Sequence, residues 1–183
     1  RILAVKVRIP LPSEKRRGVA TRPRYEGCVH VVAPVRTTAF GSTSMQNEGP
    51  GDMERKYLAF DIETAAEVPG PDFNWRAHRP LGISCAATYP CDADTPTIWL
   101  GKAADGTLAS RMSREDVRRL VDYLHEMIAK GYTLVTWNGL GFDLDVLSEE
   151  SGAIEECRDL ALDHVDMMFH VVCHPGFPVA LDK

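Results

Sequence analysis

The sequence lacks the patterns by which several large protein classes are identified. No apolar run approaches the roughly 20 residues of a membrane-spanning helix, and the opening stretch RILAVKVRIPLPSEKRRG carries charges where a signal peptide is apolar. Neither the phosphate-loop pattern G-x-x-x-x-G-K-[ST] nor the nucleophile pattern G-x-S-x-G occurs. These absences argue against a membrane protein, a phosphate-loop nucleotidase and an α/β-hydrolase.

Paired cysteines are also missing. The five cysteines are an odd number, are widely spaced and include no C-x-x-C pair: Cys28, Cys85, Cys91, Cys157 and Cys173. Free thiols suit a reducing compartment better than a disulfide framework does. We therefore expect a cytoplasmic protein with no membrane association.

Basic residues are scarce in most of the chain and concentrated at its beginning. Residues 1–52 contain 9 Lys or Arg and 4 Asp or Glu, whereas residues 53–183 contain 12 and 22, which gives the whole chain a net charge of −5. An acidic domain is poorly suited to a strong non-specific grip on nucleic acid, which depends on many contacts between cations and phosphates. It is compatible with an enzyme that touches only a chain end and neutralises phosphate with metal ions.

The chain divides into two parts. At 183 residues and 44% hydrophobic composition it is long enough for one globular domain and short for two. Residues 1–52 are rich in turn formers and show no amphipathic period, so we expect a basic, poorly ordered extension, with a nucleic-acid-binding arm as the alternative. Residues 53–183 form the predicted domain. Because GFPVALDK stops in what reads as the opening of a helix, we expect this domain to be incomplete at its C-terminus.

Hydrophobic periodicity predicts a mixed α/β fold for the domain. Apolar runs predict a buried strand at YLAFDIE, a hairpin formed by LGISCAATY and TPTIWLG, and a second buried strand at residues 132–137. The best helix begins at Ser113, where Asp116 completes a capping-box spacing, and ends at Gly131. Two short helices and a final strand, VDMMFHVV, follow. This order indicates an α/β mixed sheet with parallel pairing across the helical crossover.

Two carboxylates end the first buried strand. Asp61 and Glu63 are two positions apart and therefore point to the same face of the strand. Like charges this close repel each other, and burial increases the repulsion, so they favour either a shared proton or a bound cation. Hard divalent cations such as Mg²⁺ or Mn²⁺ take carboxylate oxygens. The alternative is that Asp61 caps the turn and Glu63 is solvated.

A second acidic segment follows the second buried strand. Asn138 and Gly139 suit a turn with positive φ, and Asp143 and Asp145 come near the start of the next helix. Acids at a helix N-terminus also have a purely structural explanation, since they favour the helix dipole. Two residues apart on a helix, the two side chains diverge by roughly 200°. We expect Asp143, beside the apolar side of this helix, to point inward and Asp145 to be solvated.

FDIET followed by a hairpin, a helix and WNGLGFD resembles the first two motifs of the DEDD 3′–5′ exonuclease superfamily, which has a ribonuclease H-like fold. The resemblance covers roughly residues 55–170. It implies that Asp61, Glu63 and Asp143 are catalytic residues and ligands of two divalent cations, Mg²⁺ or Mn²⁺, with Asp61 bridging the ions. It implies phosphodiester hydrolysis at the 3′ end of single-stranded DNA or RNA.

Three residues of the second motif are candidates for substrate binding. Leu140 and Phe142 are placed to pack against a terminal base, although a core role for Phe142 is equally compatible with the sequence. Asn138 either orients the substrate or satisfies the turn.

The family's third motif, a Tyr or His four residues before an Asp on a C-terminal helix, has no match in this chain. Asp166 lies on the last predicted strand and does not match the last ligand. We expect the fourth carboxylate and the general base beyond Lys183. The departure leaves open a non-catalytic ribonuclease H-like module that binds nucleic acid or a protein, and an endonuclease of the same fold.

Overall fold

The computed structural model describes residues 2–8, 28–34, 55–67, 74–174 and 176–177. Its strands are β1 (Ile2–Arg8), β2 (Cys28–Pro34), β3 (Lys56–Thr64), β4 (Ile83–Pro90), β5 (Thr97–Leu100), β6 (Tyr132–Thr136) and β7 (His164–Asp166). Its helices are α1 (Arg114–Ala129), α2 (Asp143–Ser151), α3 (Ile154–Leu162) and α4 (Met167–Cys173), with a short 3₁₀ turn at Trp75–His78.

A five-stranded mixed sheet organises the domain, in the order β5-β4-β3-β6-β7. The central strand β3 pairs antiparallel with β4, which pairs antiparallel with β5. On its other side β3 pairs parallel with β6, and β6 pairs parallel with β7. A parallel neighbour requires a crossover, and α1 lies between β5 and β6 in the chain to provide it. The predicted α/β class, the hairpin and the parallel pairing are confirmed.

The central strand has two different faces. Leu58, Phe60 and Ile62 belong to the main hydrophobic core, which also takes in the buried side of α1. Ala59 belongs to a smaller cluster with Cys85 and Ala87 of β4. Successive residues of a strand alternate between faces. The face of Ala59 is therefore also the face of Asp61 and Glu63.

Helix α1 begins as its sequence predicts. The Ser113 hydroxyl accepts a hydrogen bond from the Asp116 backbone N–H (3.1 Å), and the Asp116 carboxylate accepts one from the Ser113 backbone N–H (3.0 Å). These reciprocal bonds satisfy donors that the first turn of a helix leaves unpaired. The side chains that α1 buries recur at helical spacing: Val117, Leu120, Val121, Leu124 and Met127.

The predicted final strand is wrong beyond Asp166. Strand β7 ends at that residue, and the remainder of VDMMFHVV forms α4, where we expected no helix. The physical reason is the Asp166 carboxylate, which accepts hydrogen bonds from the backbone N–H groups of Met168 (3.0 Å) and Phe169 (3.3 Å) and so caps a new helix.

The predictions for the two ends of the chain fall largely outside the described residues. Within the expected extension, β1 and β2 pair antiparallel over residues 2–8 and 28–34. The other residues before 55 and residues 178–183 are outside the described ranges, so the poorly ordered extension and the incomplete C-terminus stay predictions. Among the helices described, none has both the length and the apolar character needed to cross a membrane.

The capping box yields a stability prediction. We expect Ser113→Ala to lower the free energy of unfolding by about 1 kcal/mol, because it leaves the Asp116 N–H without its acceptor. Urea unfolding followed by circular dichroism measures the change. Ser110→Ala, the same chemical change in the exposed loop before α1, is the control and should stay within about 0.5 kcal/mol of the wild type. Equal effects of the two substitutions would contradict this role for Ser113.

Candidate functional site

The carboxyl-terminal end of β3 carries the first two predicted acids. Asp61 stands opposite Ala87 of β4, and Glu63 stands opposite Cys85. Both partner side chains are small, so they leave room above the sheet for the two longer carboxylates. The pairing register changes between Glu63 and Thr64, where β3 begins to leave the ladder. The two acids therefore lie where the central strand gives way to a loop.

The third predicted acid, Asp143, is the first residue of α2 and lies against the end of β3. It is only 3% exposed, and its Oδ1 accepts a hydrogen bond from the backbone N–H of Ile62 (3.2 Å). Its carboxyl group also interacts with the carboxyl group of Asp61, and this interaction opposes the effect of burial on the pKa of Asp143. The structure thus brings Asp143 against Asp61.

Asp145 points away from this cluster. Its carboxylate accepts a hydrogen bond from Arg79 Nη2 (2.9 Å) and lies 3.6 Å from Arg76 Nη2. The prediction that Asp143 faces inward and Asp145 outward is confirmed, with the addition that Asp145 is paired with arginines as well as partly solvated. The roughly 200° between the two helix positions accounts for the difference.

The environment of the acids disfavours their charged forms. Burial raises the pKa of Glu63 to about 7, and the neighbouring charge of Asp61 adds to the rise. Burial likewise holds the pKa of Asp143 well above its usual range, Asp166 contributes in the same direction, and the hydrogen bond from Ile62 opposes the rise. Each acid has a raised pKa because desolvation and like charge act together. A bound proton or a bound cation would reduce both the cost of desolvation and the repulsion between like charges.

The donor chemistry of this cluster fits a hard divalent cation. Asp61 and Asp143 present oxygen donors in contact, and Glu63 adds a third carboxylate on the same face of β3. Oxygen ligands of this kind suit Mg²⁺, Ca²⁺ or Mn²⁺ rather than Zn²⁺. As their side chains stand, no three His, Cys, Asp or Glu residues among those described lie in position to hold one ion. The pair formed by Asp61 and Asp143 is therefore the nucleus of the candidate site.

The turn between β6 and α2 has the backbone that its sequence predicts. Asn138 has φ of +65°. A Cβ on Gly139 would lie 2.2 Å from Thr136 Oγ1, closer than atoms approach without a shift, so only glycine fits there. Asn138 is a residue type that tolerates the left-handed conformation. This geometry supports the structural role for Asn138, one of the two alternatives that its sequence position left open.

The other two predicted substrate residues differ in their surroundings. The Leu140 side chain is 54% exposed and lies on the same turn as Asn138. Phe142 is half-buried and meets the Trp75 indole edge to face, with ring centroids 5.1 Å apart. Packing of this kind favours the core role for Phe142. Leu140 keeps an apolar surface open to solvent on the turn that precedes Asp143.

Asp166 is the residue of this region whose role the sequence did not reveal. Its carboxylate accepts hydrogen bonds from the backbone N–H groups of Asn138 (2.9 Å) and Leu140 (3.2 Å), besides the two that cap α4. One buried side chain therefore holds the turn before α2 and the start of α4 together. The available signal was an Asp directly before a run of residues compatible with a helix.

No protein-family model, no curated protein and no solved structure matches this chain. The geometry of the site and the sequence motifs therefore carry the functional argument alone.

The backbone contacts of Asp166 yield a prediction about stability. We expect Asp166→Asn to lower the free energy of unfolding by about 1.5–3 kcal/mol, because an amide keeps one acceptor oxygen and turns a donor toward one of the N–H groups. The exposed Asp163→Asn is the matched control and should be nearly neutral. Denaturant unfolding of both variants measures the change. An unchanged free energy of unfolding in Asp166→Asn would contradict the hydrogen bonds described.

The raised pKa of Glu63 yields a prediction about pH. The folded protein holds the Glu63 proton up to about pH 7, whereas the unfolded chain releases it near the ordinary value of 4.5. In this window the folded state binds more protons, so the free energy of unfolding falls as pH rises. Unfolding in EDTA at pH 5 and pH 8 should show this fall, and Glu63→Gln should reduce it.

Glu67→Gln, an exposed glutamate four residues later, is the control for the pH experiment. It should leave the difference between pH 5 and pH 8 unchanged. An equal difference in wild type and Glu63→Gln would show that Glu63 titrates alike in the folded and unfolded chains.

Proposed function

We propose that this domain is a metal-dependent 3′–5′ exonuclease, a hydrolase that cleaves phosphodiester bonds at the 3′ ends of single-stranded DNA or RNA, and that its fold is ribonuclease H-like. The observation that carries the proposal is the contact between the Asp143 and Asp61 carboxyl groups at the carboxyl end of β3, with Glu63 on the same face. The FDIET and WNGLGFD motifs supply the resemblance, and the mixed five-stranded sheet is compatible with it.

The acids Asp61, Glu63 and Asp143 are the residues that would hold two divalent cations, Mg²⁺ or Mn²⁺. The chemistry that such a pair supplies when bound is a water of lowered pKa and neutralisation of charge on the leaving oxygen. Asp61 influences the pKa of both other acids, through a side-chain interaction with Asp143 and through its charge on Glu63. Its position suits the bridging role that the family resemblance implies.

The surrounding groups orient these acids before any ligand arrives. The Ile62 N–H donates to Oδ1 of Asp143 and so fixes the orientation of that carboxyl group. Burial of Asp143 keeps bulk water from screening its charge, and electrostatic interactions are stronger in such a site. Preorganised charge of this kind is the main contribution that a protein makes to phosphoryl transfer.

The substrate contacts proposed here are limited to the end of a nucleic-acid chain. Leu140 offers an exposed apolar surface to a terminal base, and base stacking on such side chains tolerates any sequence. Phe142 packs against Trp75, and Asn138 sets the turn that carries Leu140. The acidic surface of residues 53–183 agrees with a short contact rather than a long bound strand.

A non-catalytic module that binds nucleic acid or a protein is the second candidate. Asp166 favours it, because four backbone N–H groups occupy the oxygens of this nearby carboxylate and leave it poorly suited to a metal. The described residues then offer three acids to the site. The two candidates make opposite predictions about hydrolysis.

The nuclease proposal predicts metal-dependent shortening of a single-stranded oligonucleotide labelled at its 5′ end. The full gene product with Mg²⁺ or Mn²⁺ should release nucleotides stepwise from the 3′ end, and EDTA should stop it. Asp61→Asn and Asp143→Asn should each lower the rate by more than about 100-fold, since even residues behind the metal ligands cost 10–100-fold. Asn retains an acceptor for the Ile62 N–H, so Asp143→Asn should remain folded.

Asp159→Asn is the matched control, because it makes the same change at an exposed position of α3 outside the acid cluster. It should retain activity within a few-fold of wild type. A folded protein that degrades neither DNA nor RNA with either metal would reject the exonuclease and leave the binding module. Internal cuts would indicate an endonuclease of the same fold.

A further inference from the structure

The loop that connects β3 to β4 closes beside the acid cluster. Directly beyond Glu63, the Ala65 backbone N–H donates to the Gly82 carbonyl oxygen (3.0 Å), which ties the end of the loop to its beginning. The 3₁₀ turn Trp75–His78 belongs to this loop. The loop therefore begins and ends next to the end of β3 that carries the acids.

Trp75 links the loop to α2. The indole is 5% exposed and meets the ring of Phe142, which directly precedes Asp143. The guanidinium of Arg76 lies over this indole, 4.3 Å from the ring centroid. A cation within about 6 Å of an aromatic centroid is attracted by the ring's electrons. The stack thus holds a positive charge over the indole that packs against Phe142, the residue before Asp143.

The two arginines of this loop, Arg76 and Arg79, differ in their hydrogen bonds. Arg79 donates from Nε to Glu149 (2.8 Å) and from Nη2 to Asp145 (2.9 Å), and these bonds raise its pKa above the ordinary value. Two charged acceptors occupy its donors, so Arg79 ties the loop to α2.

Arg76 is ion-paired with Asp145 but makes no hydrogen bond to it. Its Nη2 is 3.6 Å from Asp145 Oδ2, which is beyond hydrogen-bond distance. Across the ranges that the structure describes, the Arg76 guanidinium makes no hydrogen bond, and its side chain is 57% exposed. An oriented, exposed guanidinium with unused donors is suited to an incoming anion, because its planar fork matches two oxygens of a phosphate.

We propose that Arg76 is a positioning residue that binds a backbone phosphate of a single-stranded nucleic acid whose 3′ end lies at Asp61 and Asp143. The inference rests on the proposed function for the location of the 3′ end. The acid cluster itself repels phosphate, and a fixed cation at the first turn of α2, which begins with Asp143, offsets that repulsion. Arg79 supports Arg76 indirectly, by fixing the loop against Asp145 and Glu149.

Binding of a fluorescent single-stranded oligonucleotide, measured by anisotropy in EDTA over a range of salt concentrations, tests the proposal without hydrolysis. Arg76→Gln should weaken binding of DNA or RNA by about 10-fold, as expected for one lost bond to a charged group. It should also reduce the slope of log K against log salt by about 0.7, the value of one phosphate contact on a single strand. Arg76→Lys should restore the slope and part of the affinity, because it keeps the charge but loses the fork.

Arg158→Gln is the control, since this arginine on α3 has a similarly exposed side chain (62%) and the same charge change. It should leave affinity and salt slope nearly unchanged. Equal losses in Arg76→Gln and Arg158→Gln, an unchanged salt slope in Arg76→Gln, or no oligonucleotide binding by the wild type would each overturn the proposal. If Arg76→Gln reduces the salt slope but the wild-type protein hydrolyses no nucleic acid, the phosphate site is upheld and the exonuclease is rejected.

Discussion

The contact between Asp143 and the end of β3 is the interaction around which this domain is arranged. The Ile62 N–H near the end of the central strand donates to a carboxylate that belongs to the first residue of α2. The contact joins the sheet to the helix that follows the parallel crossover. It also buries a second acid against Asp61, which raises the electrostatic cost of the arrangement.

Other buried acids in the same domain are satisfied by the protein itself. Asp166 accepts four backbone hydrogen bonds. Glu150 of α2 accepts one from the Gly82 N–H (2.9 Å) and a charged one from Arg111 (2.5 Å). These carboxylates hold loops in place, since hydrogen bonds to the ionised form stabilise a buried charge. The acids at the end of β3 differ because burial and like charge dominate their environment.

The loop between β3 and β4 begins at the acids of β3 and is held in place by other acids of α2. Glu150 holds its end at Gly82, and Asp145 with Glu149 holds Arg79. Later positions of α2 thus anchor the loop, while the first residue of the helix belongs to the acid cluster. The same short helix contributes to the framework and to the candidate site because successive acidic positions on it point in different directions. Arg76 is the cation of this loop that the anchoring contacts leave accessible.

Local chemistry along the chain determined the elements, and tertiary contacts determined the site. The α/β class, the capping box at Ser113 and the shared face of Asp61 and Glu63 follow from spacing and periodicity, which depend on near neighbours. Which helix acid turns inward was predictable from the apolar side of α2. The role of Asp166 was not, because its partners at Asn138 and Leu140 lie 28 and 26 residues away in the chain. The raised pKa values of Glu63 and Asp143 likewise exist only once folding removes water from these carboxylates.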